Sequence, residues 1–213
     1  MNKPLNMRPH GMPGKLITFC GLDGCGKSTM IKMLSKDLSD AGCDVFVTKQ
    51  PTDMMRKTNI FRTFMDNPDH SMYQYRALSL MAAADRVQHI NKVILPALRE
   101  GKIVICDRYF YSCLANLRAR GFEDDEWIYE IAQNEIVKPD AAFFLDVPVS
   151  VALARVKARP EEKDRFVDVD LQYRLHDEYR DIARMNHGLL LSSTEKPEYT
   201  YQNIMNFIGG KLK

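Results

Sequence analysis

The chain contains 213 residues, of which 45% are apolar and 27% are charged, and its formal net charge is +2. These values are ordinary for a globular protein with a buried core. Acidic and basic residues are mixed along the sequence, whereas a surface that binds a polyanion usually shows a block of one sign. No segment reaches the roughly 18 apolar residues of a membrane-spanning helix. We therefore expect neither nucleic acid nor a membrane as a partner.

The N-terminal residues and the cysteines both favour a cytoplasmic protein. Residues 1–14 contain three prolines together with Lys3 and Arg8, but no apolar stretch of the kind found in a signal peptide. They predict a flexible leader before a single domain over residues 15–213. The five cysteines are odd in number and show no metal-ligand spacing. This pattern is more typical of free thiols in a reducing compartment than of disulfides.

Short apolar runs alternate with longer segments of helical spacing along the rest of the chain. This order predicts an α/β protein whose parallel sheet is flanked by helices. The predicted strands are 16–20, 44–48, 103–106, 141–145 and 188–191. The predicted helices are 27–41, 71–100 with a bend at Pro96, 128–134 and 171–186. The charged segment 157–170 predicts a mobile lid loop between two helices.

One motif follows the first predicted strand directly, Gly21-Leu22-Asp23-Gly24-Cys25-Gly26-Lys27-Ser28. Its glycines let the backbone bring N–H groups against phosphate oxygens, and the helix that begins at Lys27 adds the positive end of its dipole. In this pattern Lys27 contacts the β- and γ-phosphates of a nucleotide, while Ser28 coordinates Mg²⁺. A glycine-rich turn with an incidental lysine is the alternative. The strand before the motif and the helix after it favour nucleotide binding.

A second signal lies at the end of the third predicted strand, at Asp107 and Arg108. An acidic residue here is the usual second partner of Mg²⁺ in proteins with this phosphate-binding loop. The next position often carries a water-activating glutamate in ATPases, whereas Arg108 suits a second phosphate. The pair therefore favours transfer to a phosphorylated acceptor over hydrolysis, with a surface ion pair as the alternative. A GTP-binding switch is disfavoured, because Asn91-Lys92-Val93-Ile94 lacks the aspartate of the guanine-binding motif.

From Lys15 onward the chain resembles the thymidylate kinases over nearly its whole length. The matching stretches are 21–29, 48–51, 83–88, 94–101, 107–109 and 164–166. The resemblance implies a P-loop NTPase fold, a three-layer sandwich with a five-stranded parallel sheet. It also implies ATP with Mg²⁺ as the phosphoryl donor, dTMP as the acceptor, and a homodimer packed through helices.

The resemblance assigns roles to matching positions. On the donor side, the loop residues would hold the ATP phosphates, and these residues are Gly21, Gly24, Cys25, Gly26, Lys27, Ser28 and Thr29. Arg155 and the Leu191–Ser193 loop, with Ser192, would flank the adenine. Ser28 and Asp107 would support Mg²⁺. On the acceptor side, Asp23 would contact the sugar 3′-hydroxyl near the transferred phosphate. The remaining acceptor residues would be Arg62 and Arg108 at the monophosphate, Arg86 at the base, and Ala82, Tyr109, Ser112 and Asn116 around the nucleoside.

Some family members carry an arginine inside the phosphate-binding loop, where this chain has Gly24 and Cys25. The cation that compensates the charge of the transferred group should then come from the lid. Arg159 and Arg165 are the candidates, with Lys163 behind them. Together with Lys27, Asp23 and Arg108, they complete the expected catalytic set.

The base-binding half of the pattern departs from the family. Ala82 stands where members usually have a phenylalanine that stacks on thymine, and Asn116-Leu117 replaces a common Tyr-Gln pair. In one hypothesis the acceptor is still dTMP, with the space filled by Met81, Tyr73, Tyr75, Phe110 or Tyr111. In another, it is a different or modified pyrimidine nucleoside monophosphate. A third reading, a non-catalytic nucleotide-binding paralogue, is disfavoured because Lys27 and the Asp107-Arg108 pair are retained.

Overall fold

Five parallel strands form one sheet in the computed structural model, which describes residues 3–67, 69–122, 126–162 and 166–209. They are β1 (Lys15–Cys20), β2 (Val45–Lys49), β3 (Ile103–Asp107), β4 (Ala141–Asp146) and β5 (Leu189–Ser192). Their order across the sheet is β2-β3-β1-β4-β5. The prediction of an α/β fold with a five-stranded parallel sheet is confirmed, and each strand lies within one or two residues of its predicted bounds.

Helices cover both faces of the sheet. They are α1 (Lys27–Asp40), α2 (Asp53–Arg56), α3 (Asn59–Asp66), α4 (Tyr75–His89), α5 (Leu95–Arg99), α6 (Phe110–Arg118), α7 (Trp127–Glu135), α8 (Val149–Lys157), α9 (Val169–Met185) and α10 (Pro197–Ile208). The four predicted helices are present, although α4 begins at Tyr75 instead of residue 71. Among the described residues, no helix is both long enough and apolar enough to span a bilayer.

The helix predicted to bend at Pro96 continues through that residue. A five-residue π-helical segment, Ile90–Ile94, joins α4 to α5 immediately before Pro96. Proline lacks a backbone N–H, and its ring crowds the carbonyl four residues earlier. A wider π-turn relieves this conflict without ending the helix.

The central strands place two functional segments at one edge of the sheet. Phe19 of β1 is fully buried, pairs in register with Asp107 of β3, and lies 5.2 Å from Phe143 of β4 between ring centroids. Burial of a side chain of this size contributes about 1.5–3 kcal/mol. Because β1 and β3 are parallel neighbours, the residues that follow them emerge side by side. The loop 21–28 therefore lies beside Arg108.

The charged segment 157–170 lies between two helices, as predicted. Helix α8 ends at Lys157, a 3₁₀ turn follows at Pro160–Glu162, and α9 begins at Val169. Asp168 caps α9, since its carboxylate accepts a hydrogen bond from the backbone N–H of Leu171. That this segment moves as a lid stays a prediction.

The described part of the predicted leader packs against the domain, which corrects the expectation of a loose segment. Leu5 and Met7 are buried in the main apolar core. The Leu5 N–H donates to Asn186 Oδ1 at 2.8 Å, and Arg8 forms a parallel bridge with Val137. Two apolar side chains in a short proline-rich sequence are too few to show periodicity, so sequence patterning did not reveal this contact.

Asp140 anchors the end of this N-terminal segment. Its Oδ2 atom accepts hydrogen bonds from the Leu16 N–H and contacts His10 Nε2, each at 2.8 Å. Burial by itself would raise the pKa of Asp140, but the hydrogen bonds from Leu16 and His10, with Lys15 nearby, outweigh burial and lower it. A carboxyl with a lowered folded-state pKa stabilises the fold above its unfolded pKa of about 3.9. That stabilisation is lost as the pH falls through the folded value.

Replacing Asp140 with asparagine should lower the free energy of unfolding by about 1–3 kcal/mol at pH 7, because buried donors lose a charged acceptor. The exposed Asp44 serves as a control, and Asp44→Asn should change stability by less than about 0.5 kcal/mol. Chemical denaturation at pH 7 and below pH 4 measures both. A stability difference between Asp140→Asn and the parent that does not shrink in acid would contradict the assignment.

Candidate active site

The loop 21–28 joins β1 to α1 and adopts a conformation that requires glycine. Gly21 and Gly24 have φ angles of 133° and 82°. A Cβ atom on Gly21 would lie 2.6 Å from the carbonyl oxygen of Leu145, and one on Gly24 would lie 2.3 Å from that of Ala152. Both the left-handed backbone and the close approach of neighbouring carbonyls exclude a side chain.

Lys27 lies inside this loop. Its side chain is buried, and its ammonium donates to the carbonyls of Leu22 at 2.7 Å and Gly21 at 3.2 Å. Ser28 and Thr29 are exposed on the first turn of α1 and border the large cavity described below. The predicted cation and hydroxyls therefore lie together at the start of one helix.

The tip of the loop is braced from the far side. Ser193 Oγ donates to the Cys25 carbonyl at 2.6 Å, and Arg155 donates to the carbonyls of Ser193 at 3.0 Å and Gly24 at 3.5 Å. These bonds orient two consecutive peptide planes of the loop. The Cys25 side chain is fully buried, so only its backbone can reach a ligand. Sequence reasoning missed this use of Ser193, which depends on a contact across 168 residues.

Ser192 takes a different position from its buried neighbour. Its side chain is exposed, and its hydroxyl lies 3.0 Å from Thr194 Oγ1. The Ser192 carbonyl accepts a hydrogen bond from Thr200 Oγ1 at 2.8 Å. Of the two serines, Ser193 therefore contacts the loop directly, while Ser192 remains on the surface beside it.

Arg108 connects the loop to the opposite wall. Its guanidinium donates to the Gly21 carbonyl at 3.0 Å, to the Tyr179 hydroxyl at 2.9 Å and to Asp23 Oδ1 at 2.5 Å. Its φ of 65° is unusual for a residue with a side chain and costs about 1–3 kcal/mol. Beside it, Asp107 Oδ1 is buried without a hydrogen-bond partner among the described residues.

Electrostatics keep Arg108 cationic despite its burial. Burial alone would lower its pKa, but Tyr179, Asp23 and Asp107 outweigh that effect and raise the pKa well above its ordinary value. Burial in turn raises the pKa of the Tyr179 phenol, which therefore stays neutral. The arrangement holds a fixed positive charge next to the phosphate-binding loop.

Arg56, at the end of α2, joins this cluster and was not identified from the sequence. Burial and the neighbouring Arg108 lower the pKa of Arg56, while Asp23 and Asp107 oppose the shift. Its Nε donates to the Pro51 carbonyl at 2.8 Å, directly after the cis Gln50–Pro51 peptide. The sequence signal was an arginine five residues after the matched 48–51 stretch.

Arg62, the predicted acceptor-phosphate residue, occupies a more peripheral position. It borders the cavity, but its side chain is 60% exposed and pairs with Asp66 at 2.7 Å. Both residues lie on α3, one turn apart. Arg62 therefore borders the same cavity as Arg56 and Arg108, and its binding of the acceptor phosphate stays a prediction.

Asp85 of α4 positions the segment that carries Arg56. Its carboxylate accepts hydrogen bonds from the Thr52 N–H at 2.8 Å and from the Thr52 hydroxyl at 2.5 Å. The Gln50 N–H donates to the Asp107 carbonyl at 2.9 Å. The start of α2 is thus fixed to both α4 and β3.

A cavity of about 870 Å³ lies between the loop and this cluster. Asp23, Lys27, Ser28 and Thr29 line one side, and Arg56, Arg86, Asp107, Arg108, Ser112 and Asn116 line the other. Arg86 is almost fully buried and donates to the Ala82 carbonyl at 2.8 Å, while its Nε has no hydrogen-bond partner among the described residues. Two sets of phosphate-compatible groups therefore face one shared space.

The remaining acceptor-site predictions divide into two groups. Ala82, Ser112 and Asn116 border the cavity. Tyr109 does not, which corrects its assignment: its ring is fully buried and its hydroxyl donates to the Val137 carbonyl at 2.7 Å. A buried phenol needs such an acceptor, and the nearest one lies in the core, away from the cavity.

The residues proposed to fill the space beside Ala82 also fall into two groups, because some line the cavity and others lie elsewhere. Phe110 and Tyr111 are buried in the main core, and Met81 is exposed on α4. Tyr75 lines the cavity together with Phe64 of α3, which sequence reasoning missed. Their ring centroids lie 5.4 Å apart. The lid candidate Arg159 is exposed and borders the cavity, whereas Arg165 and Lys163 lie outside the described residues.

Two oxygen donors in the cavity fit a magnesium ion. The Ser28 hydroxyl is exposed there, and Asp107 offers a buried carboxylate oxygen that has no hydrogen-bond partner among the residues described. Mg²⁺ prefers such hard donors and usually completes its coordination with water and substrate phosphates. No group of three or more His, Cys, Asp or Glu side chains that could hold a metal by itself occurs in the described part of the chain.

Comparison with known proteins agrees with this geometry. A family model described as thymidylate kinase matches residues 19–204. A probable thymidylate kinase of Pyrococcus abyssi is 40% identical over 204 residues, covering 94% of this chain and 98% of its own. One of Pyrococcus horikoshii is 42% identical, covering 82% and 85%, and a thymidylate kinase of Desulfotalea psychrophila is 38% identical, covering 75% and 77%. A match over this much of the sequence shows that the chain belongs to the thymidylate kinase family of nucleoside monophosphate kinases.

Proposed function

We propose that this enzyme transfers the γ-phosphoryl group of ATP to dTMP, giving ADP and dTDP. The observation that carries the proposal is the arrangement of phosphate-binding groups on two sides of one cavity. The loop 21–28 with Lys27 borders one side, and the cations Arg56, Arg86 and Arg108 border the other. Relatives named thymidylate kinase support dTMP as the acceptor. A different or modified pyrimidine nucleotide is the less favoured alternative.

The chemistry requires position and charge more than covalent participation by the protein. An oxygen of the acceptor monophosphate attacks the γ-phosphorus as the bond to the ADP oxygen breaks. The N–H groups of the loop and Lys27 hold the donor phosphates, and Arg56 and Arg108 hold the acceptor phosphate. Arg108 also donates to Asp23 Oδ1, which orients that carboxylate toward the acceptor sugar.

Mg²⁺ completes the proposed donor site. Ser28 and Asp107 would hold the ion, which when bound neutralises charge on the β- and γ-phosphate oxygens. The protein's own contribution is to keep these two oxygen donors within the same cavity as Lys27. Arg155 and Ser192 would lie beside the adenine, with Ser193 keeping the loop in shape.

We also propose that the chain forms a homodimer in the cytoplasm. The exposed residues Ala77, Leu80, Met81 and Ala84 form an apolar stripe along α4 at helical spacing. A stripe of this kind suits helix packing between two copies. The described cysteines are all free thiols, which suits a reducing compartment.

An assay of ADP release with a panel of nucleoside monophosphates tests the function. ADP formation should depend on the acceptor and be fastest with dTMP. Lys27→Ala should lower kcat by about 10²–10³-fold, because it removes a cation from the developing charge. The exposed Lys32 on the same helix provides the control, and Lys32→Ala should retain activity. Turnover of Lys27→Ala at the parental rate, or ATP binding without any acceptor-dependent turnover, would contradict the proposal.

Arg56 and Arg62 offer a matched pair of substitutions on the acceptor side. Arg56→Ala should raise the KM for dTMP by about tenfold or more, because hydrogen bonds to a charged group contribute about 1.5–3 kcal/mol. Arg62→Ala should change it by less than about fivefold, since an exposed ion pair contributes about 0–1 kcal/mol. Steady-state kinetics with ATP saturating measures both. The reverse order of effects would restore Arg62 as the phosphate-binding residue.

A separate prediction concerns Arg159 and Arg165, the two lid arginines. Arg159→Ala or Arg165→Ala should lower kcat by about 10²-fold or more, because the loop 21–28 carries no arginine to compensate the transferred charge. ATP affinity should change little in the same variants. Lys157→Ala, an exposed cation at the end of α8, serves as the control. Unchanged kcat in both arginine variants would remove the lid from the mechanism.

A further inference from the structure

The cavity contains a second arginine near the expected position of the base. Arg120, which follows the last turn of α6, lines the cavity together with Arg86. Its Nη1 donates to Asn116 Oδ1 at 2.8 Å and to the Asn116 carbonyl at 3.3 Å. Asn116 Nδ2 in turn donates to the Ser112 carbonyl at 2.9 Å. Arg120 is therefore held in place by the preceding helical turn.

Two aromatic rings hold the same guanidinium from another direction. The Arg120 guanidinium carbon lies 4.2 Å from the ring centroid of Tyr75 and 5.9 Å from that of Phe64. A cation at this distance from an aromatic face is attracted to it, and the contact restricts the side chain. Asn116 and Tyr75 thus preorganise Arg120 before any ligand binds.

Several arginine N–H donors at this end of the cavity have no hydrogen-bond acceptor among the described residues. Arg120 Nε and Nη2 form no hydrogen bond with a described residue, and none of the described carboxylates pairs with Arg120. Arg86 Nε is buried and likewise has no partner within the described part of the chain. Burial raises the pKa of Tyr75 to about 12 despite the nearby Arg120 and Arg86, so its phenol stays neutral. Asp23 and Asp107 act instead on Arg56 and Arg108, whose pKa values they raise.

We propose that Arg120 is a second base-reading residue, which donates to the C4 carbonyl oxygen of the acceptor pyrimidine and selects oxo-pyrimidines over cytosine. This inference rests on the proposed function. An arginine has only donors, so its ligand must present an acceptor. Thymine and uracil carry two carbonyl oxygens, whereas cytosine replaces one with an amino group. At the C4 position cytosine would present amino N–H groups to the Arg120 donors, and a donor left without an acceptor disfavours binding of that base.

The position of Arg120 also bears on the missing phenylalanine at Ala82. A base cannot stack on Ala82, so the pocket loses one source of affinity. Arg120 and Tyr75 provide a rigid, partly aromatic wall near the same space. Arg120 thus provides a directional hydrogen-bond donor where a stacking ring is missing. A donor distinguishes bases by their acceptor atoms, whereas a ring face stacks on any base.

The test compares Arg120→Met with Arg76→Met. Arg76 is a matched control, because its guanidinium also lies over an aromatic ring, 5.1 Å from Phe122, but it does not line the cavity. Arg120→Met should raise the KM for dTMP by about tenfold or more and lower the preference for dTMP over dCMP, in kcat/KM, by a similar factor. The KM for ATP and the kcat at saturating dTMP should stay near the parental values. Arg76→Met should change none of these quantities.

A second variant and a binding measurement keep the inference separate from folding and from turnover. Arg120→Lys retains the charge but not the planar fork, and should fall between the parent and Arg120→Met. Calorimetric titration of each protein with dTMP and dCMP, without ATP, reports on Arg120 whether or not turnover occurs. Lack of turnover in the parent would reject the proposed function alone. An unchanged dTMP-to-dCMP affinity ratio in folded Arg120→Met would overturn the role of Arg120.

Discussion

The parallel pairing of β1 with β3 is the constraint on which the site depends. It brings the loop 21–28 and Arg108 to one edge of the sheet, and Arg108 then bridges Gly21 and Asp23. The left-handed backbone at Arg108 is costly for a residue with a side chain, and it persists because hydrogen bonds from both walls hold the guanidinium. Arg108 therefore joins the loop to Tyr179 on the other side of the cavity.

Arg56, Arg86 and Arg108 place three positive charges along one side of the cavity. Burial and Arg108 disfavour the charge on Arg56, as its lowered pKa indicates. A bound phosphate dianion would relieve this repulsion, so the same cluster that is unfavourable without a ligand becomes favourable with it. Asp85 and Thr52 hold Arg56 in the cluster despite the repulsion.

The end of the cavity near Arg120 is lined by aromatic side chains, in contrast to the arginine-rich end near Arg108. Its walls come from a small aromatic cluster outside the main core, in which Phe64 stacks on His70 at 4.2 Å and lies near Tyr75. Phe64 belongs to α3, Tyr75 belongs to α4, His70 lies between these two helices, and Arg120 follows α6. The aromatic surface at this end of the cavity therefore comes from two helices and the segment between them.

The sequence by itself determined the elements and residues that local rules govern. Apolar runs predicted the strands, and the glycine pattern predicted the loop with Lys27 and Ser28, because backbone geometry and burial act over a few neighbouring residues. It did not indicate α6, whose residues are buried on nearly every side and therefore show little periodicity. Only the tertiary structure decided that Arg56 joins Arg108 beside the cavity, that Tyr109 faces the core, that Ser193 donates to the Cys25 carbonyl, and that Arg120 lines the cavity. Each of those outcomes depends on contacts between helices distant in the chain, and no local spacing encodes such contacts.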